Sequence, residues 1–162
     1  MTDYSTLMPA DAVVALRTLP RRVTAALGVF DEATEARAHQ LGSGGVSAVE
    51  ILLGASATLG VLEKGLSDVS TVDDAPLHPA VTNRQLRTVE TSATEPTEAV
   101  LEQFSERVTA VADLAETIKG RDWSRTGIVG DVSVSALDLL REAVGVGVDA
   151  LSEVEHLIAS LD

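Results

Sequence analysis

The stretch from Ser135 to Leu161 constrains this chain more than any other. Leu137, Leu140, Val144, Val148, Leu151, Val154, Ile158 and Leu161 recur at steps of three and four, the spacing of one helix face. A second apolar stripe runs through Leu139, Ala143, Val146, Ala150 and Leu157, leaving only Asp138, Glu142, Asp149, Ser152, Glu153 and His156 as a polar strip. A helix so nearly apolar must lie between neighbours, so it is read as a central bundle helix. Ser135 and Asp138 open it in capping-box fashion, a hydroxyl accepting from early amides and an acid placed at the positive end of the dipole. Gly145 and Gly147 are anomalous there, because each interior glycine costs about 0.5–1 kcal/mol relative to alanine. Close backbone packing is the expected reason, and a ligand pocket the alternative.

The same reading extends upstream. Pro9 or Asp11 starts a first helix with Val13, Leu16, Leu19, Val23, Ala26 and Leu27 at helical spacing, and Pro20 inside it predicts a kink or broken turn. Residues 1–8 read as a loose arm, and 31–45 as a polar connection. Ser47 and Glu50 form a capping box that opens a second helix to about Leu66, apolar almost all round, with Gly54 in its middle. Its faces need cover, and a second copy of the chain is one source, which predicts a homodimer. Residues 67–96 form a long crossover with a short helix near Asn83–Glu90 anchored by Leu86 and Val89. Thr97 caps a third helix through Leu101, Phe104, Val108, Val111, Leu114 and Ile118, closed by Lys119 and Gly120. The expectation is an all-α, single-domain four-helix bundle over 1–162 with a long crossover between the second and third helices.

Composition narrows the function. Aromatics make up 2% of the chain (Tyr4, Phe30, Phe104 and Trp123), so the core is aliphatic and no base-stacking platform exists. A net charge of −13 repels phosphate backbones and argues against nucleic-acid partners. With no cysteine there is no disulfide, thiolate metal site or thiol nucleophile. No basic-then-apolar leader opens the sequence, and the apolar run Ile51–Leu62 is too short for a bilayer, so a soluble cytoplasmic protein without membrane partners is expected.

With these elements placed, G-G-V-S-A-V-E-I-L-L at 44–53, D-W-S-R-T-G at 122–127, S-A-L-D-L-L at 135–140 and the tail D-A-L-S-E-V at 149–154 resemble, in order and spacing, the DinB-like superfamily. That superfamily includes mycothiol- and bacillithiol-dependent transferases. The resemblance implies a divalent metal held by three histidines, one seven residues after the second helix's cap and two at eleven and fifteen residues after the last helix's cap. Counted from Ser47 and Ser135, those positions are Gly54, Val146 and Ala150. None offers a side-chain ligand, so no metal or other cofactor is expected.

His39, His78 and His156 show no metal-ligand spacing. Glu50, Asp131, Asp149 and Glu153 are candidate acid or base groups, each also explained by capping or exposure. Trp123 is expected to plug the bundle end with its indole N–H on a loop carbonyl. The candidate ligand-binding residues around the erased triad are therefore Glu50, Gly54, Trp123, Gly145, Val146, Asp149 and Ala150. The reading is a non-catalytic bundle that binds a small apolar or thiol-bearing molecule, or a partner chain. The alternative is a thiol-dependent transferase or isomerase acting without the usual metal.

Overall fold

The computed structural model describes residues 3–28, 31–87 and 94–161. Among the described residues, five α-helices and a small sheet follow one another. They are α1 (Pro9–Leu27), α2 (Glu32–His39), α3 (Ala48–Thr71), α4 (Thr97–Thr117) and α5 (Ala136–Ser160), with β1 (Ala75–Pro76), β2 (Thr126–Val129) and β3 (Val132–Ser135). The four long helices form the bundle. α1 and α3 each pack on both α4 and α5, so consecutive long helices α1 and α3, and likewise α4 and α5, sit across its diagonals. The long connections 28–47 and 118–135 make those diagonal steps reachable.

Both expected capping boxes are present. Ser47 accepts from the Glu50 amide while Glu50 accepts from the Ser47 amide, and Ser135 and Asp138 do the same at α5. The α5 stripes face the core, with Leu139, Leu140, Ala143, Val144, Ala150, Leu151 and Val154 buried. Around α3, cover comes from α4, α5 and α2 of the same chain. Its composition therefore does not by itself require a second copy. Among the described residues, no helix is long and apolar enough to cross a membrane.

Several expectations are corrected. Of the kink or broken turn expected at Pro20, the broken turn is overturned: α1 continues through it, because Ala12, Leu16, Leu19, Val23 and Leu27 form one continuous buried face that outweighs the lost backbone bond. Residues 32–39 form a helix rather than a connection. Asp31 caps it by accepting from the Thr34 amide, and its acids come first and its bases last, as the dipole favours. α3 extends to Thr71. The described part of the arm is docked: Tyr4 packs on the core, and the Leu7 carbonyl accepts from Arg141 Nε at 2.9 Å.

In the crossover, Arg84–Leu86 form only a 3₁₀ turn and Leu86 is exposed, so it anchors nothing; Val89 and Glu90 lie outside the described residues. Thr97 is the first helical residue of α4 rather than its cap, and α4 ends at Thr117, ahead of Lys119.

Where the all-α expectation has no strand, β2 and β3 between α4 and α5 join β1 of the crossover in a sheet of order β1-β2-β3, β1 parallel to β2 and β2 antiparallel to β3. Val129 pairs with Val132 across Gly130 and Asp131, and Gly130 has φ +62°, the positive first position of a II′ turn. The hairpin ties the crossover to the start of α5: the Leu77 amide donates to the Ile128 carbonyl at 2.8 Å, and Arg125 Nε to the Val69 carbonyl at 3.1 Å.

Candidate functional site

An open hollow of about 360 Å³ lies between α3 and α5, large enough for a small organic molecule. From the α3 side it is lined by Glu50, Ile51, Gly54, Ala55 and Thr58, at the four-residue steps of one helix face, with Val46 just ahead. Val146, Asp149, Ala150 and Glu153 line it from α5 with the same periodicity. The crossover completes the wall with Arg84 and Arg87. Gly54, Val146 and Ala150 thus share one hollow with Glu50 and Asp149.

The other two candidates lie elsewhere. Gly145 borders a separate depression with Asp3, Tyr4 and Arg141, and the Tyr4 ring covers it. Trp123 is half-buried against the core in the turn Gly120–Ser124, away from the hollow, and its indole makes no hydrogen bond among the described residues. Arg84 and Arg87 were absent from the expected set. The irregular backbone that carries them has no periodicity to announce a face, so only the fold brings them to the site.

The polar groups of the hollow differ in how far they are committed. Glu50 is buried in its capping box, with Oε2 2.9 Å from the Ser47 amide. Arg87 is 11% exposed, donates to the Ala80 and Val81 carbonyls, and pairs with Glu142 at 2.9 Å. Arg84 reaches the same Glu142 oxygen at 3.3 Å. Asp149 and Glu153, one turn apart on α5, have no hydrogen bond or ion pair among the described residues. Burial lifts the Glu153 carboxyl above the usual range, and the Asp149 charge lifts it further.

The histidines are placed apart from the hollow. His78 caps the turn Pro79–Val81 by accepting from the Ala80 amide, His156 is exposed, and His39 ends α2 rather than lying in a loop. Asp131 stands at the hairpin tip.

His39 joins two elements: Nδ1 lies 3.0 Å from the Glu35 carbonyl and Nε2 2.8 Å from the Glu95 carbonyl, beside the first turn of α4. Both partners are acceptors, so only the doubly protonated ring satisfies both. Burial alone would lower its pKa, but the two carbonyls and the Glu35 and Glu95 carboxylates outweigh burial and raise it. A raised folded-state value contributes stability that is full below the unfolded value near 6.5 and is lost as pH rises through the folded one. Melting measured from pH 5.5 to 8.5 is therefore expected to fall over that interval, and His39→Gln to flatten this component. An unchanged profile in the variant would remove His39 from the linkage.

No protein-family model matches the chain, and no curated protein matches it in sequence. Among solved structures it is similar to YfiT from Bacillus subtilis, described as a probable metal-dependent hydrolase with an unusual four-helix bundle topology. The TM-score is 0.78 at 12% identity, over 99% of this chain and 91% of YfiT. The likeness shows a shared four-helix-bundle fold.

At 12% identity only the fold is shared, and chemistry must be argued from the residues. A metal centre on this scaffold needs converging donor side chains. Gly54, Val146 and Ala150 have none, and among the described residues no group of three or more His, Cys, Asp or Glu side chains is arranged to hold a metal ion. The residues present do not fit the metal that the sequence resemblance implies.

Proposed function

We propose that this protein is a metal-free member of the bundle family that binds a small organic molecule in the hollow between α3 and α5. One observation carries the reading. The three positions that the resemblance assigns to metal ligands lie on one hollow, and their small or aliphatic side chains leave about 360 Å³ open instead of closing it. An apolar floor with a few polar groups at its edge is the usual make-up of a small-molecule site. YfiT's description as a metal-dependent hydrolase supplies the scaffold comparison, while the residues here supply no route for its metal. Thiol-bearing molecules remain within the class such a hollow admits.

The test uses a neutral probe, cyclohexylmethanol, followed by methyl NMR. Saturable shifts at Val146 and Ala150 are expected in the native protein, with binding weakened at least tenfold in Ala150→Leu, which fills the floor. No saturable shift in the native protein would overturn the reading. So would stoichiometric zinc or nickel in protein purified from metal-supplemented medium.

A further inference from the structure

We propose that the hollow selects an aliphatic amine, its ammonium seated between Asp149 and Glu153 and its hydrocarbon against Gly54, Val146 and Ala150. This rests on the binding reading above and adds the chemical class of the ligand.

The argument starts from which charges at the hollow are already answered. Both guanidinium groups are engaged: Arg87 by two backbone carbonyls and Glu142, and Arg84 by the same Glu142 oxygen. An anionic ligand would have to compete with Glu142 and would meet the uncompensated α5 carboxylates beside it. Asp149 and Glu153 have no such partners among the described residues. They stand four residues apart on one helix face, a spacing at which like charges disfavour the helix. Both line the same hollow.

A cation placed between them would relieve that repulsion. The class of cation follows from the floor. Inorganic ions need several converging oxygens, and no group of three carboxylates or histidines is arranged for one among the described residues. An ammonium needs only two or three acceptors, and an attached alkyl group fills the apolar part of the hollow. The chain's net charge of −13 would also draw cations toward the mouth.

An isosteric trio tests the class: cyclohexylmethylamine, cyclohexylmethanol and cyclohexanecarboxylate, titrated at pH 7 by NMR and calorimetry. The amine is expected to bind at least tenfold more tightly than the alcohol, and the carboxylate more weakly than either. Asp149→Asn and Glu153→Gln should each reduce amine affinity about threefold to tenfold, and the alcohol's by clearly less. Glu102→Gln, on the exposed surface of α4, should leave both unchanged. Both α5 positions are exposed, so the variants should fold, and their melting temperatures should hold or rise as the like charges are separated.

Equal affinities across the trio, or preference for the carboxylate, would overturn the amine assignment while leaving the hollow a binding site. Equal loss in Glu102→Gln would overturn it too, by reducing the effect to overall charge. Failure of the alcohol as well as the amine would bring down the binding reading itself.

Discussion

Gly147→Ala is expected to destabilise the protein by roughly 1–2 kcal/mol, whereas Gly145→Ala, two residues away on α5, is expected to stabilise it by about 0.5–1 kcal/mol. Helix propensity favours alanine at both sites by up to about 1 kcal/mol, so the difference comes from what each new methyl meets. At position 147 it would lie 2.5 Å from Leu19 Cδ1, well inside contact distance. Leu19 is completely buried in α1, so its Cδ1 must shift within the core to admit the methyl, and overpacking of this kind costs about 1–3 kcal/mol. At position 145 the nearest atoms belong to the Tyr4 ring at 3.5–3.6 Å, an ordinary contact. For a domain of this size, 1 kcal/mol moves the melting temperature by about 2–4 °C, so the two variants should separate clearly in thermal denaturation. Leu19→Ala supplies the control. In that background Gly147→Ala should become neutral or stabilising, since the clash has been removed. If both glycine variants move the same way, the close approach of α1 and α5 at Gly147 is wrong.

These glycines also show how far the residues alone can be read. Helical spacing and two capping boxes locate α3 and α5, because a hydroxyl, an acid three residues on and a long apolar stripe are local signals that tertiary contacts seldom overturn. The same signals place Gly54, Val146 and Ala150 by register. That Gly147 admits a leucine while Gly54 borders an opening is a matter of which helix arrives opposite, and nothing within α5 or α3 encodes it. The misses follow the same division. α2 buries only Ala38, so it has no stripe to detect, although Asp31 and the ordered charges of 32–37 are consistent with a capped helix. β2 and β3 are four residues each and β1 only two, too short for period to register, and the hairpin's local sign is the β-branched run on both sides of Gly130 and Asp131. Pro20 acts in the opposite direction: it does not end α1, since packing of a whole buried face outweighs one local rule. Arg84 and Arg87 were the least legible of all, lying at the site only because the crossover returns over it.

The start of α4 yields the second large effect, and again the decisive partner is remote in sequence. Glu35→Ala is expected to cost about 1–2 kcal/mol, through an element that does not contain the residue. Pro96 occupies the cap position of α4 and offers no side-chain acceptor. The carboxylate of Glu35, on α2, fills that role, with Oε1 at 3.1 Å and Oε2 at 3.3 Å from the Thr97 amide. Thr97 is completely buried, so deleting the acceptor leaves its N–H unpaired inside the protein, and removes a negative charge from the positive end of a long helix. The upper end of the range is limited because the Glu35 side chain is 45% exposed, which lets water approach the gap. Glu35→Gln keeps an acceptor oxygen and should lose only the charge, about 0.3–1 kcal/mol. Thr97→Val, which preserves the amide and removes a hydroxyl that has no partner among the described residues, should be close to neutral. Urea denaturation with hydrogen exchange at the first amides of α4 distinguishes the three, since only Glu35→Ala should speed exchange at Thr97. If Thr97→Val proves as costly as Glu35→Ala, the hydroxyl and not the Glu35 carboxylate holds this helix end.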